Sequence, residues 1–287
     1  MPGKLYGVMQ GRLSPPEDGR FQSFPRFSWR EEFPRARAAG LDYIEWIFDD
    51  YGASANPVAS EQGIAELNAL KQQYGIATPA LCADWLMDFP VIRCSVEERI
   101  RREKMLHQLL RWARQIGAWR LVLPFVDASS IRTEEERQIV VDVIERALPI
   151  AKEVGVELHL EADLAPSDFA AFLRRVPHPM VRVNYDTGNS SGLGYVASEE
   201  FAAYGERIGS IHIKDRQRFP DGKAVTRPLG QGSADFDDIF ASIRSIGYRG
   251  GLTLQVARGE AGDEINWIGL QLAFVRGYWS DADGSAS

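Results

Sequence analysis

The chain has 287 residues, 45% hydrophobic and 25% charged, the proportions of a globular protein with room for a large core. Its formal net charge of −7 works against binding phosphate backbones, so no nucleic-acid partner is expected. Two cysteines, Cys82 and Cys94, are too few for a disulfide framework, and no apolar run suits a signal peptide or a membrane span, so the expected setting is cytoplasmic, with no membrane partner.

Short β-rich runs alternate with longer amphipathic stretches from end to end. KLYGVMQ (4–10) and LDYIEWIF (41–48) read as the first two strands, and a helix follows over 59–75. IATPALCAD (76–84) and RLVLPFV (120–126) are the next strands, each leading into a long helix, 95–117 and 133–155. These three helices begin around Ser or Thr with acid behind it and close on Gly, as capping and left-handed C-terminal geometry prefer. The second half repeats the cycle with strands VELHLEA (156–162), VRVNYDT (181–187), GSIHIKD (209–215) and GLTLQVA (251–257). Helical patterns SDFAAFLRR, SEEFAAYGERIG, DFDDIFASIRSIG and DEINWIGLQLAFVRGYW lie between and after them. Eight strand–helix units of this size predict an α/β fold, a (β/α)8 TIM barrel forming one domain over 1–280, with a polar tail over 281–287 that frays. An open doubly wound sheet is the alternative. No G-x-G-x-x-G follows the first strand, which argues against a dinucleotide site.

Side chains along a barrel strand alternate between interior and helix layer. In the last four strands one phase is largely apolar: Leu158 and Leu160, Val183 and Tyr185, Ile211 and Ile213, Leu252 and Leu254. The other carries His159 and Glu161, Asn184 and Asp186, Ser210 and His212, Thr253 and Gln255, with the stronger ligand type always nearer the C-terminal mouth. Buried polar groups need partners and buried charges need neutralising. One divalent cation held by Glu161, Asp186, His212 and the amide oxygen of Gln255 would supply that; the donors suit Mn2+, Mg2+, Co2+ or Zn2+. A lone strand-end histidine such as His212 is more often a satisfied core residue than a ligand, and it is the convergence of four positions that favours the metal.

With these residues in view the chain resembles the xylose-isomerase-like TIM barrels, a superfamily of sugar and sugar-phosphate isomerases and epimerases. The resemblance rests on GVMQGRLSP, LHLEAD, NYDTGNSS, SIHIKDR, PLGQGSADF and LTLQVAR and runs nearly the full length. It implies metal roles for Glu161, Asp186 and His212, and a catalytic pair at 161 and 255 that removes and returns a proton alpha to a carbonyl through a metal-stabilised enediolate. The chain departs from the pattern at Gln255, where the family usually has a second glutamate, and a neutral amide cannot act as a base. Aldose–ketose isomerisation with Glu161 as the single base stays open, as do a dehydratase and a non-catalytic relative that binds a small polyhydroxy ligand. Asn189 stands where several relatives carry a histidine near the substrate.

Around the mouth, Lys214, Arg216 and Arg258 are candidates for an anionic or hydroxyl group of a sugar or sugar phosphate, with the glycines of LGQG and Arg227 close by. Gln10, Arg12 and Glu45 are candidate substrate contacts on the other side, although Glu45 and Arg12 could equally form an ion pair. Trp46, Trp85 and Phe89 could wall a sugar ring, though core packing is the commoner role of aromatics. A related nuclease class needs three zinc ions and several histidines. Here His107 falls on a helix and His178 in a loop, which argues against it. Association between copies through the exposed helices is expected by analogy with the fold.

Overall fold

The computed structural model describes residues 4–280, and the tail expected to fray from residue 281 lies outside them. The strands are β1 (Tyr6–Met9), β2 (Tyr43–Ile47), β3 (Ala80–Cys82), β4 (Arg120–Phe125), β5 (Glu157–Ala162), β6 (Val181–Asp186), β7 (Ile208–Ile213), β8 (Asp215–Arg218), β9 (Ala224–Arg227) and β10 (Leu252–Leu254). Strands β1 to β7 pair in chain order, and β10 closes the ring between β7 and β1, every pair parallel. All eight expected strands are present, each within its predicted run or a residue outside it, and the fold is a TIM barrel. The antiparallel hairpin β8–β9 was not expected: the predicted strand 209–215 stops at Ile213, and Asp215 begins the hairpin.

The helices are α1 (Glu32–Ala38), α2 (Glu61–Tyr74), α3 (Trp85–Asp88), α4 (Val96–Gln115), α5 (Glu134–Val154), α6 (Pro166–Arg175), α7 (Thr187–Leu193), α8 (Ala197–Tyr204), α9 (Phe236–Ser245) and α10 (Glu264–Tyr278). Their ends follow from local chemistry. Ser60, Ser95 and Thr133 each accept a backbone N–H of the first turn, and Ser95 forms a reciprocal capping box with Glu98. Gly75 and Gly155 close α2 and α5 in the left-handed conformation.

Because helices cover the barrel, its strands are buried on both faces, and all six residues of β4 are buried. The phase read from the sequence holds. Leu158, Leu160, Val183, Tyr185, Ile211, Ile213, Leu252 and Leu254 belong to the apolar core, while the alternate polar set is also buried and lines the interior. One irregularity sets the site. The β6–β7 register slips by one residue between Val183↔Ile208 and Asn184↔Ser210, so Asp186 comes level with His212 instead of Ile211. Gly209 is the residue passed over. A Cβ there would stand 2.5 Å from His159 Cε1, so only glycine fits the slip without moving the interior.

Candidate metal centre at the barrel mouth

Asp186, His212 and Glu161 meet at the C-terminal ends of β6, β7 and β5. Each offers a ligand atom within 4.8 Å of the others, and among the described residues no further His, Cys, Asp and Glu group has this spacing. Register accounts for the convergence: Asp186 and His212 are direct partners across β6–β7, and Thr253 is the partner of His212 on the other side.

The hydrogen bonds assign each atom a direction. Nε2 of His212 lies 2.7 Å from Oε1 of Glu45, which leaves Nδ1 on the side of Asn184 Nδ2 at 3.1 Å, Glu161 Oε2 at 3.4 Å and Asp186 Oδ2 at 4.0 Å. Glu45 is held in turn by the Thr253 hydroxyl at 3.2 Å and by Arg120, whose Nη2 stands 3.7 Å away. Burial opposes a charge on the His212 ring, yet the carboxylates of Glu45 and Glu161 outweigh it and raise the ring to about 10. Glu161 accepts from the side-chain amides of Asn184 at 2.8 Å and Asn189 at 2.6 Å, one on each oxygen. Asp186 caps α7 with Oδ1, taking the N–H groups of Gly188 and Asn189. Its other oxygen, Oδ2, is buried and accepts no hydrogen bond; Lys214 Nζ is 3.7 Å away.

The residues one level deeper hold this layer in place. Asn184 accepts from the Ser210 hydroxyl, which meets His159 Nδ1 at 2.7 Å, and His159 Nε2 reaches Glu157 at 2.9 Å. Burial pushes His159 down to about 4, against the opposing pull of the Glu157 carboxylate, and its two ring contacts serve to orient its neighbours.

Gln255 continues the interior phase two residues beyond Thr253. Its Nε2 donates to Gln22 Oε1, and its Oε1 is buried with no partner. Glu161, Asp186 with its donorless Oδ2, and Nδ1 of His212 form a donor set that a hard or borderline divalent cation takes. Gln255 Oε1, also buried without a donor, sits just past the end of the adjoining β10 and is the fourth candidate. The residues present fit such an ion.

The remaining candidates divide into two groups. Lys214 turns inward and donates to Asn189 Oδ1 at 3.1 Å, and Arg216 reaches the same oxygen at 3.4 Å, so both cations stand over the mouth. Gln10 is fully buried; its Oε1 accepts from Ile47 N, and its Nε2 has no partner. Arg12 and Arg258 are committed elsewhere. Arg12 donates to Val256 O, Phe21 O and Gln22 Oε1, and Arg258 to Phe21 O and Ser14 O, which fastens the loop after β1 across the end of β10. Glu45 pairs with His212 and Arg120 and not with Arg12.

The LGQG glycines are also spoken for: Asp215 accepts the N–H groups of Gly230, Gly232 and Ala234, filling the loop that could have cradled a phosphate. Arg227 is exposed and bonds Gln217. Trp46 packs among Phe24, Trp29 and Phe33 in the core and lines no sugar site. His107 lies on α4, and His178 in the loop entering β6 at the far end of the barrel. Sequence reasoning missed Gln22 and Arg120 and left Asp84, too near a loop, without a role. Gln22 lies in a loop with no periodicity, whereas Arg120 and Asp84 sit at strand ends, where a charge reads as a solvated terminus.

A sequence model of the family described as xylose isomerase-like TIM barrel matches residues 33–276. L-ribulose-5-phosphate 3-epimerase UlaE of Escherichia coli is 24% identical over 232 residues, 77% of this chain and 80% of its own. D-allulose 3-epimerase from Methylomonas sp., solved in complex with D-allulose, superposes with a TM-score of 0.72 at 21% identity, over 97% of this chain and 98% of that one. The IOLI protein, solved with a binding zinc atom, superposes with a TM-score of 0.75 at 18% identity, over 96% and 99%. At these identities the structural likenesses show the fold.

Proposed function

Because the chain belongs to the xylose isomerase-like TIM barrel family, we propose that it is a metal-dependent isomerase or epimerase of a sugar or sugar phosphate, working by proton abstraction alpha to a carbonyl. The observation that carries this reading is the convergence of buried Glu161, Asp186 and His212, with Asp186 Oδ2 accepting no hydrogen bond. The named relatives act on ketoses or their phosphates, and one neighbour was solved with zinc, which agrees with the donor set.

Glu161, Asp186, Gln255 and Nδ1 of His212 would hold the ion. When bound, it supplies positive charge to offset the negative charge that develops on the substrate oxygens. Glu161 is the base. Its two oxygens are fixed by Asn184 and Asn189, so the carboxylate is presented in one orientation. Lys214, at the same mouth, and the free Nε2 of Gln10 are donors for substrate hydroxyl groups or a phosphate. Gln255 has no proton to exchange near neutral pH, so the chemistry that fits these residues best has Glu161 serving one face of the sugar.

The test is solvent deuterium uptake. Metal-loaded protein incubated in D2O with ketopentoses, ketohexoses and their phosphates is expected to place deuterium on the carbon next to the carbonyl of at least one of them. Glu161→Gln is expected to abolish uptake. Absence of exchange across the panel, or exchange that Glu161→Gln leaves intact, would overturn the proposal.

A further inference from the structure

Gln255 differs from a carboxylate in one respect that the surrounding atoms address. A glutamate presents the same kind of oxygen whichever way it turns, whereas a glutamine ligates only if its oxygen, and not its NH2, faces the ion. The neighbouring groups decide between these two orientations by donor and acceptor chemistry alone. Arg12 Nη2 can only donate, and it points at one end of the Gln22 amide from 3.1 Å; that end is therefore the oxygen. The other end of Gln22 lies 2.7 Å from Oδ2 of the buried Asp84 carboxyl, so it is the NH2. The same Gln22 oxygen, 3.0 Å from Gln255, leaves room there only for the Gln255 NH2. Gln255 Oε1 is thereby the end of the amide directed away from Gln22, and it is buried without a partner.

We infer that Gln22 and Asp84 are positioning residues that orient the Gln255 amide so that its oxygen faces the cation. The inference rests on the metal-holding reading of the site. It also gives Gln255 a defined role: Gln22 sets an acceptor oxygen against position 255, which suits an amide and repels a carboxylate. The glutamine is matched to the loop after β1 and is not simply a lost glutamate.

Calorimetric titration of metal-stripped protein with Mn2+ at pH 8 tests this, with unfolding midpoints in EDTA confirming that each variant is folded. Gln22→Met is expected to weaken Mn2+ binding by about tenfold or more, the usual effect of removing a group that orients a ligand. Asp84→Ala is expected to do the same. Asp84→Asn keeps an acceptor oxygen for Gln22 and is expected to bind nearly as the native chain does. In the Gln255→Glu background, where both outer atoms are oxygens, Gln22→Met is expected to cost nothing or to strengthen binding.

A loss of the same factor in both backgrounds would mean that Gln22 merely packs the loop, and would overturn the inference. So would Gln22→Met binding Mn2+ as tightly as the native chain. Failure of the native chain itself to bind Mn2+ would remove the reading of the site, a separate result visible before any Gln22 variant is made.

Discussion

Glu32→Gln isolates the anchor of the loop that carries Arg12 and Gln22. Glu32 is 1% exposed, and its carboxylate accepts the N–H groups of Gly11 and Leu13. Burial raises its carboxyl from the ordinary 4.5 to about 7; the bonds from Gly11, Ser14 and Leu13 offset only part of that rise. The folded state therefore holds a proton more tightly than the unfolded state. Its contribution to stability is complete below pH 4.5 and is lost as the pH rises through about 7. The displacement of about 2.5 pH units corresponds to about 3 kcal/mol. Glutamine can keep one oxygen on Gly11 and Leu13 but does not titrate. Urea unfolding of metal-stripped protein at pH 4.5 and pH 8.5 measures the difference. Relative to the native chain, Glu32→Gln should gain about 3 kcal/mol between the two pH values. A gap between the two proteins that does not change with pH, or that closes in the other direction, would refute the reasoning.

Two further perturbations probe the site and its register. Glu45→Gln removes the carboxylate that faces His212 Nε2 from 2.7 Å and fixes which nitrogen turns to the mouth. Mn2+ affinity measured by calorimetry should fall by about tenfold, and unchanged affinity would show that Glu45 plays no part in aiming the ring. Gly209→Ala forces a Cβ to within 2.5 Å of His159 Cε1 and 2.9 Å of Arg182 Cβ at the β6–β7 slip. Urea unfolding should show a loss of about 1–3 kcal/mol, and a change within error would mean that the interior yields there freely.

The parts of this molecule that were legible in the sequence are those governed by a period. Helix caps at Ser60, Ser95 and Thr133 are decided within four residues. The two-residue alternation of β5, β6, β7 and β10 put Glu161, Asp186 and His212 on one surface without any knowledge of which strands pair. The phase of β2 likewise allowed Glu45 to point inward, but its partner could not be read, because His212 lies 167 residues away and meets it only when the barrel closes. Asp215 shows the opposite failure. Its strand reads on through 215, yet the carboxylate is drawn off by three backbone amides of the LGQGSA loop, so the chain leaves the barrel at Ile213 and turns into the β8–β9 hairpin.

Gln255 marks the limit of reading from phase. Strand alternation places the residue in the interior but says nothing about which end of its amide points there. That choice is made by Arg12 and Gln22, from the loop after β1, and by Asp84, from the end of β3, segments with no regular spacing relative to 255 or to each other. The three act in series, since a cation fixes one amide, a carboxylate fixes the other end of it, and the second amide inherits the result. A glutamine in the place of a ligand glutamate can be judged only with its neighbours in view, because the same residue facing a donor instead of Gln22 Oε1 would turn its NH2 to the site and repel the ion.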